Sequence, residues 1–267
     1  MLPSLHNHTR WSDGSDTLSA YIHTARSLGV NELGISDHYT LSPCGPRPAW
    51  SMRPDDLDAY VRDIVAATGD RSDVTVRLGI EADFFPETVG MLRAQLTAHP
   101  LDYVIGSVHF VDRFSVDTAA RDWERLSADE RNTVWRHYWQ RVRQLAESRV
   151  YDVVAHLDVP KKYGYRPTVG LLAETEAALD AIAAADMAVE PTQLAGTRRL
   201  EKPTRHRNSC MPLSGGAFPS SSAPTVTRPR NCCGIFRLLV SSPAMLATPR
   251  RSGTFGGSAF SCRCRWD

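Results

Sequence analysis

Two histidines one residue apart, His6 and His8 in the stretch LHNHTRWSDG, stand close ahead of an acid, Asp13. Four more residues of the same chemical kind follow. His38 closes GISDH, Glu81 sits in GIEADF, His109 in GSVHF and His156 in VVAHLD. Imidazole nitrogens and carboxylate oxygens together suit zinc, manganese or iron. A single histidine is more often an ordinary polar residue, and His23, His99, His137 and His206 read that way because they lie on helical or irregular stretches. A set that recurs at one end of successive apolar runs is different. In an extended segment, residues i and i+2 point the same way, so His6 and His8 can share one ion. Gathering ionised carboxylates away from water is costly unless they are paired or bind metal. A cluster of divalent ions removes that cost and supplies a reagent. Bound water can lose a proton near neutral pH, and two ions can hold the attacking and leaving oxygens of a phosphoryl transfer.

Such ligands need a scaffold that delivers them to one place. The runs at 30–38, 74–84, 101–110 and 151–158, together with MAVE at 187–190, read as buried strands. Between them lie helical patterns: TLSAYIHTARSLG, DDLDAYVRDIVAATG, TVGMLRAQLTAH, ADERNTVWRHYWQRVRQLAESR and TVGLLAETEAALDAIAAA. Strands alternating with helices of this length imply parallel βαβ units. Repeated over some 190 residues, they predict a barrel-like α/β domain with its chemistry at the C-terminal ends of the strands.

The 267 residues, 42% hydrophobic and 23% charged, fit a globular protein. No apolar run approaches the roughly 18–20 residues that span a bilayer, and MLPSLHNH has no basic segment followed by an apolar one. The expectation is a cytoplasmic protein with no membrane partner.

In order, HNHTRWSDG, GISDH, GIEADF, GSVHF and VVAHLDVPKKYG resemble the PHP (polymerase and histidinol phosphatase) family, and SVHFVDRFSVD and HLDVPKKYG resemble its monofunctional histidinol phosphatases. The resemblance runs from residue 1 to about 190. It implies a distorted seven-stranded βα barrel, up to three divalent ions (Zn, Mn or Fe), and hydrolysis of L-histidinol phosphate to L-histidinol and phosphate. By position, His6, His8 and Glu81 hold one ion, and Glu81, His109 and His156 hold a second. Asp13 and His38 contribute to a third. Glu81, His109 and His156 serve the reaction through a metal-bound hydroxide. Lys161 and Lys162 fall within a matching motif and, with Arg47 and Arg53 after SDH, are candidates for the substrate phosphate; solvated surface cations are the plain alternative for each. Glu190, ending MAVE, is read as structural or as a support behind the ligands. The partner is a small phosphate monoester rather than nucleic acid. Two rivals stand beside this reading: a PHP-type phosphodiesterase or exonuclease acting on nucleotides, and a non-catalytic PHP-like protein that binds nucleic acid.

Past about residue 204 the rhythm stops. Nine arginines and one aspartate after Lys202 give residues 203–267 about +8 of a total net charge of +1. Five of six cysteines also lie there, in a stretch dominated by Pro, Ser, Gly and Arg. The Asp-x-His motif with which the family completes its ligand set has no counterpart after residue 190. Arginine outnumbers lysine 28 to 3, a mark of GC-rich coding. Reading the last base of each codon with the first two of the next lets Ala223–Thr227 encode Ser/Ala-Asp-Gly-His. The hypothesis is a frame change between about 190 and 204. It divides the chain into a phosphatase domain at 1–203, an incomplete barrel, and an out-of-frame basic tail at 204–267, disordered or misfolded as written. On this view neither the charge nor the cysteines of the tail signal nucleic acid, disulfides or zinc. Resequencing the gene across codons 185 to 240 tests it, and an uninterrupted frame would sink it.

Overall fold

The computed structural model describes residues 3–68 and 73–190. Eight strands and six α-helices alternate in it. β1 (Glu32–Ile35) and β2 (His38–Tyr39) follow α1 (Leu18–Ser27), and α2 (Leu57–Thr68) leads to β3 (Thr75–Asp83). α3 (Val89–Thr97) precedes β4 (Tyr103–Ser107) and a small antiparallel hairpin, β5 (Phe110–Val111) with β6 (Phe114–Ser115). α4 (Ala120–Glu124) and the long α5 (Ala128–Glu147) lead to β7 (Val153–Val154), and α6 (Leu172–Ala184) leads to β8 (Ala188–Val189).

The main sheet is parallel throughout, in the order β1, β3, β4, β7, β8. β2 continues the line of β1 along the same neighbour, since β1 pairs with Thr75–Leu78 and β2 with Glu81–Ala82. The segment bearing His6 and His8 lies on the outer side of β1. Ser4 N donates to Glu32 O, Gly34 N to Ser4 O and Ser36 N to Asn7 O, each within 3.0 Å. Six parallel positions therefore account for six of the seven strands expected of the barrel. The two outer ones approach each other, because His6 on the first touches Glu190 at the end of β8. Curvature of that kind is what barrel strands produce.

Each predicted strand and long helix appears, and the β5–β6 hairpin, α4 and 3-10 turns at Pro54–Asp56 and Val159–Tyr163 are added. The last predicted helix starts later than its pattern, at Leu172, so Thr168–Gly170 belong to the preceding loop. α5 opens on a complete capping box, Ser127 and Glu130 satisfying each other's backbone N–H groups. Its buried face carries Trp135, Tyr138, Trp139, Val142 and Leu145. Tyr138 and the helix behind it back the strand that ends at His156, and the Tyr138 hydroxyl donates to His156 O at 3.4 Å.

Inside the curve, Leu5, Tyr103, Ile105, Val153 and Ala155 form a small apolar cluster. Tyr103 lies across β1 and β3 and donates its hydroxyl to Leu5 O, fastening the His6 segment to the sheet. Glycine is required beneath it. A Cβ on Gly34 would come within 2.1 Å of the Tyr103 hydroxyl oxygen, and one on Gly79 within 2.2 Å of its ring. Among the described residues no helix is long and apolar enough to cross a membrane.

Candidate metal centre

The register of the sheet brings the ligand-type residues to one end. His38 pairs directly with Glu81, and Glu81 with Ile105, Ile105 with Val153, and Val153 with Ala188. His109, His156 and Glu190 each lie a few residues beyond that level, at the C-terminal ends of their strands. His6, His8, His38, Glu81, His109 and Glu190 are all at most 9% exposed.

Glu81 is the centre of the cluster. Its Oε2 lies 3.0 Å from His6 Nε2, 3.0 Å from His8 Nε2 and 2.9 Å from His38 Nδ1. Its Oε1 lies 3.1 Å from His156 Nε2 and 3.7 Å from His109 Nε2. Asp13 Oδ1 is 2.9 Å from His8 Nδ1 and 3.9 Å from His38 Nε2. Three sets of donor atoms each lie within 4.8 Å of one another: His6, His8 and Glu81; His8, Asp13 and His38; His38, Glu81 and His109. All seven residues singled out as ligands in the sequence thus meet. The grouping differs from the expectation: His8 joins Asp13 and His38, and His38 rather than His156 completes the set of Glu81 and His109, His156 meeting Glu81 Oε1 at 3.1 Å outside the three sets.

The donors fit divalent ions better than they fit one another. Glu81 Oε2 and His38 Nδ1 are buried 2.9 Å apart, yet neither has a hydrogen-bond partner of proper geometry. His6 Nε2 and His8 Nε2 face each other at 3.1 Å, where two acceptor nitrogens repel unless a cation or proton lies between them. Electrostatics says the same. Burial opposes charge on Glu81, but the imidazoles of His38 and His6 outweigh it and hold the carboxyl well below its usual range. Burial likewise opposes charge on His6, and Glu81 and Glu190 pull its pKa well up in spite of it. His8 is raised against burial by its bonds to Asp13 and Glu81, whereas burial keeps His38 low. The ionised carboxylates demand positive charge that crowded imidazoles cannot all carry, and divalent ions meet that demand.

Behind the ligands stands a layer of acids. Glu190 places its oxygens 2.9 and 3.0 Å from His6 Nδ1, and accepts from His156 N at 3.3 Å. Asp83 Oδ1 lies 2.9 Å from His109 Nδ1, while Thr40 Oγ1 donates to Asp83 Oδ2 at 2.6 Å. Burial disfavours charge on His109, but Asp83 overrides it and lifts the pKa to about 10. Carboxylates in this position orient a ligating imidazole and raise its basicity. Sequence reasoning gave Glu190 this kind of place and missed Asp83, although Asp83 stands at i+2 from Glu81 on one strand face. It also missed Asp37, fully buried, which accepts from Thr9 N at 2.7 Å and Thr9 Oγ1 at 2.8 Å and so sets the turn that carries Asp13. Gly14 closes that turn, where a Cβ would meet His8 O at 1.9 Å.

The four cations expected at the substrate phosphate are placed differently. Arg47 Nη1 donates to Pro48 O and Ser51 O of its own loop, so its guanidinium staples that loop together. Arg53 is an exposed side chain 3.5 Å from Asp56. Lys162 Nζ donates to Asp117 O at 2.9 Å and ties the 3-10 turn to the segment after β6. Lys161 is half-buried on the same turn, and burial lowers its pKa despite the charge of Asp158. None of these bonds of Arg47, Arg53 or Lys162 reaches the histidine cluster. The segment in which an Asp-x-His was sought, and the whole of 204–267, lie outside the described residues.

The PHP domain profile matches residues 4–192. A curated relative, the "Probable histidinol-phosphatase" of Deinococcus radiodurans, is 33% identical over 146 residues, 54% of this chain and 55% of that protein. The alignment therefore spans only about half of the relative's length. Among solved structures, histidinol phosphate phosphatase from Lactococcus lactis subsp. lactis, complexed with zinc, L-histidinol and phosphate, matches with a TM-score of 0.57 at 19% identity, covering 71% of this chain and 72% of that one. A structure from Listeria monocytogenes matches with a TM-score of 0.61 at 20% identity, covering 70% and 80%. At those identities the likeness is one of fold.

Proposed function

The chain belongs to the PHP domain family, and from that premise we propose that it is a metal-dependent phosphomonoesterase whose substrate is L-histidinol phosphate. The single observation that carries the reading is the buried Glu81 carboxylate facing five imidazoles. The relative in Deinococcus radiodurans and the zinc, L-histidinol and phosphate held by the Lactococcus lactis protein supply the substrate class and the metal. His6, His8 and Glu81 form one ligand set; Glu81, His109 and His156, with His38 alongside, form a second; Asp13, His8 and His38 form a third. Zinc is the favoured ion, with manganese and iron compatible with the same donors.

Divalent ions bound there would lower the pKa of water to near neutrality and offset charge developing on phosphoryl oxygens. The chain's own part is geometric and electrostatic. Glu81 spans the cluster, an oxygen toward each half. Glu190 and Asp83 lock the rings of His6 and His109 by their Nδ1 atoms, leaving Nε2 of each toward Glu81. Asp13 does the same for His8. Lys161, on the turn five residues past His156, is the cation we assign to the substrate phosphate. The division at residue 203, with an out-of-frame tail after it, is part of the same proposal and rests on the sequence alone.

The test is phosphate release by the zinc-loaded protein from L-histidinol phosphate, from glycerol phosphate and from a dinucleotide. Preference for the first supports the reading. Cleavage of the dinucleotide alone would move the protein to the phosphodiesterase reading.

A further inference from the structure

One large aromatic side chain beside the cluster has no part in holding metal. Trp50 lies on the loop between β2 and α2, half-buried, with its ring 4.6 Å from that of His38 and 5.4 Å from that of His109, edge-on to both. Its face is stacked on Phe110 at 6.2 Å with an interplanar angle of 12°, and Phe110 leans on buried Phe85 at 5.8 Å. The loop is fixed on both sides of the indole. Met52 N donates to His38 O at 2.9 Å, Thr40 N to Ser51 Oγ at 2.9 Å, and Arg47 bonds the carbonyls of Pro48 and Ser51. Trp50 Nε1 has no hydrogen-bond partner among the described residues. Next to the stack, Phe110 shares with Cys44, Pro46, Pro48 and Arg113 the lining of a cleft of about 300 Å³.

A tryptophan held this firmly and left half-exposed beside a polar cluster is an arrangement for contact with a planar ligand. Building on the function proposed above, we infer that Trp50, backed by Phe110, is the specificity-determining wall of the site. It takes the unsaturated ring of the substrate alcohol, the imidazole of histidinol, while the phosphate lies at the histidine cluster. Arg47 acts through it as a positioning residue. The class of substrate is then a phosphomonoester whose alcohol carries a small planar ring a few bonds from the phosphate.

The experiment compares the wild type with Trp50→Ala and Trp50→Phe, each shown to bind zinc in the same amount, on L-histidinol phosphate and on 2-aminoethyl phosphate. The second substrate keeps the phosphate and the amine and lacks the ring. Stacking of one aromatic pair is worth roughly three- to tenfold. Trp50→Ala should lower kcat/KM for L-histidinol phosphate by about that factor, through KM, and leave 2-aminoethyl phosphate within about twofold; Trp50→Phe should keep most of the ring preference. Equal losses on both substrates, or none on either, overturn the wall. Calorimetric binding of L-histidinol to the zinc-loaded proteins separates this from failure of the parent reading. If neither ester is hydrolysed, the phosphatase reading falls. The wall still stands if wild type and Trp50→Phe bind histidinol more tightly than Trp50→Ala, and it falls if they do not.

Discussion

At the scale of single residues, the site is a carboxylate surrounded by imidazoles, with further carboxylates behind them. Removal of the outer acids should act through the metal rather than the fold. Asp83→Asn and Glu190→Gln each release a ring that the acid now orients, and partners of this kind are worth about 10–100-fold in metal affinity. A competition titration against a chromophoric chelator should show zinc weakened by that factor, with the thermal midpoint of the metal-free protein moved far less. The pH dependence has a definite sign. His109, raised from 6.5 to about 10, gives the metal-free fold stability that is fully present below about pH 6.5 and lost as pH rises through about 10. Glu81, Asp83 and Glu190 are lowered, so their contribution is present above about pH 4.5 and lost as pH falls through their depressed values. Metal takes the neutral imidazole, so zinc affinity should climb between about pH 6.5 and 10, by about tenfold per unit for each proton displaced. The same titration repeated at pH 6.5, 7.5 and 8.5 checks it, and a flat profile would contradict it.

At the scale of elements, what could be read in advance followed from periodicity. The strand VTVRLGIEADF alternates apolar residues with polar or small ones, and α5 shows its stripe of Trp135, Tyr138, Trp139, Val142 and Leu145 plainly. Six of the seven candidate ligands were legible because each stands at or near the end of a predicted strand; Asp13, in the turn after His8, was read from the resemblance. Asp83 and Asp37 were not legible, because an acid two residues from one ligand, or beside another, has no signature of its own; only the fold shows which ring it meets. Trp50, Arg47 and Lys162 belong to loops, where side-chain partners depend on how distant segments come together. Two substitutions test the element-level account. Ser127→Ala removes the cap of α5 and should cost about 1 kcal/mol in urea unfolding while leaving zinc affinity intact. Gly79→Ala forces a methyl group into the Tyr103 ring that fastens the His6 segment, so it should lower both stability and zinc affinity, by roughly 1–3 kcal/mol in the former.

At the scale of the whole molecule, the first and sixth strand positions of the sheet are joined at the centre through His6 and Glu190, 184 residues apart in sequence. Metal held as proposed by Glu81 and its imidazoles would tie together the N-terminal segment, β2, β3, the end of β4 and the end of β7. An ion that binds only the folded state adds stability of about 2.7 kcal/mol at a hundred times its dissociation constant. Stripping with a chelator should lower the thermal midpoint by several degrees and readdition of zinc should restore it; the Glu81→Gln variant should show no such response.

In the proposed function the Glu81 cluster binds divalent metal, and that metal supports phosphate release from L-histidinol phosphate. The most direct measurement is phosphate release from L-histidinol phosphate by the wild type and by Glu81→Gln, each assayed metal-free and zinc-loaded, with bound zinc quantified in the same samples. The account predicts hydrolysis only by the zinc-loaded wild type, with Glu81→Gln reduced by more than the roughly 100-fold that an outer acid could explain. Zinc bound in equal amount by both proteins, or equal turnover with and without metal, would contradict it.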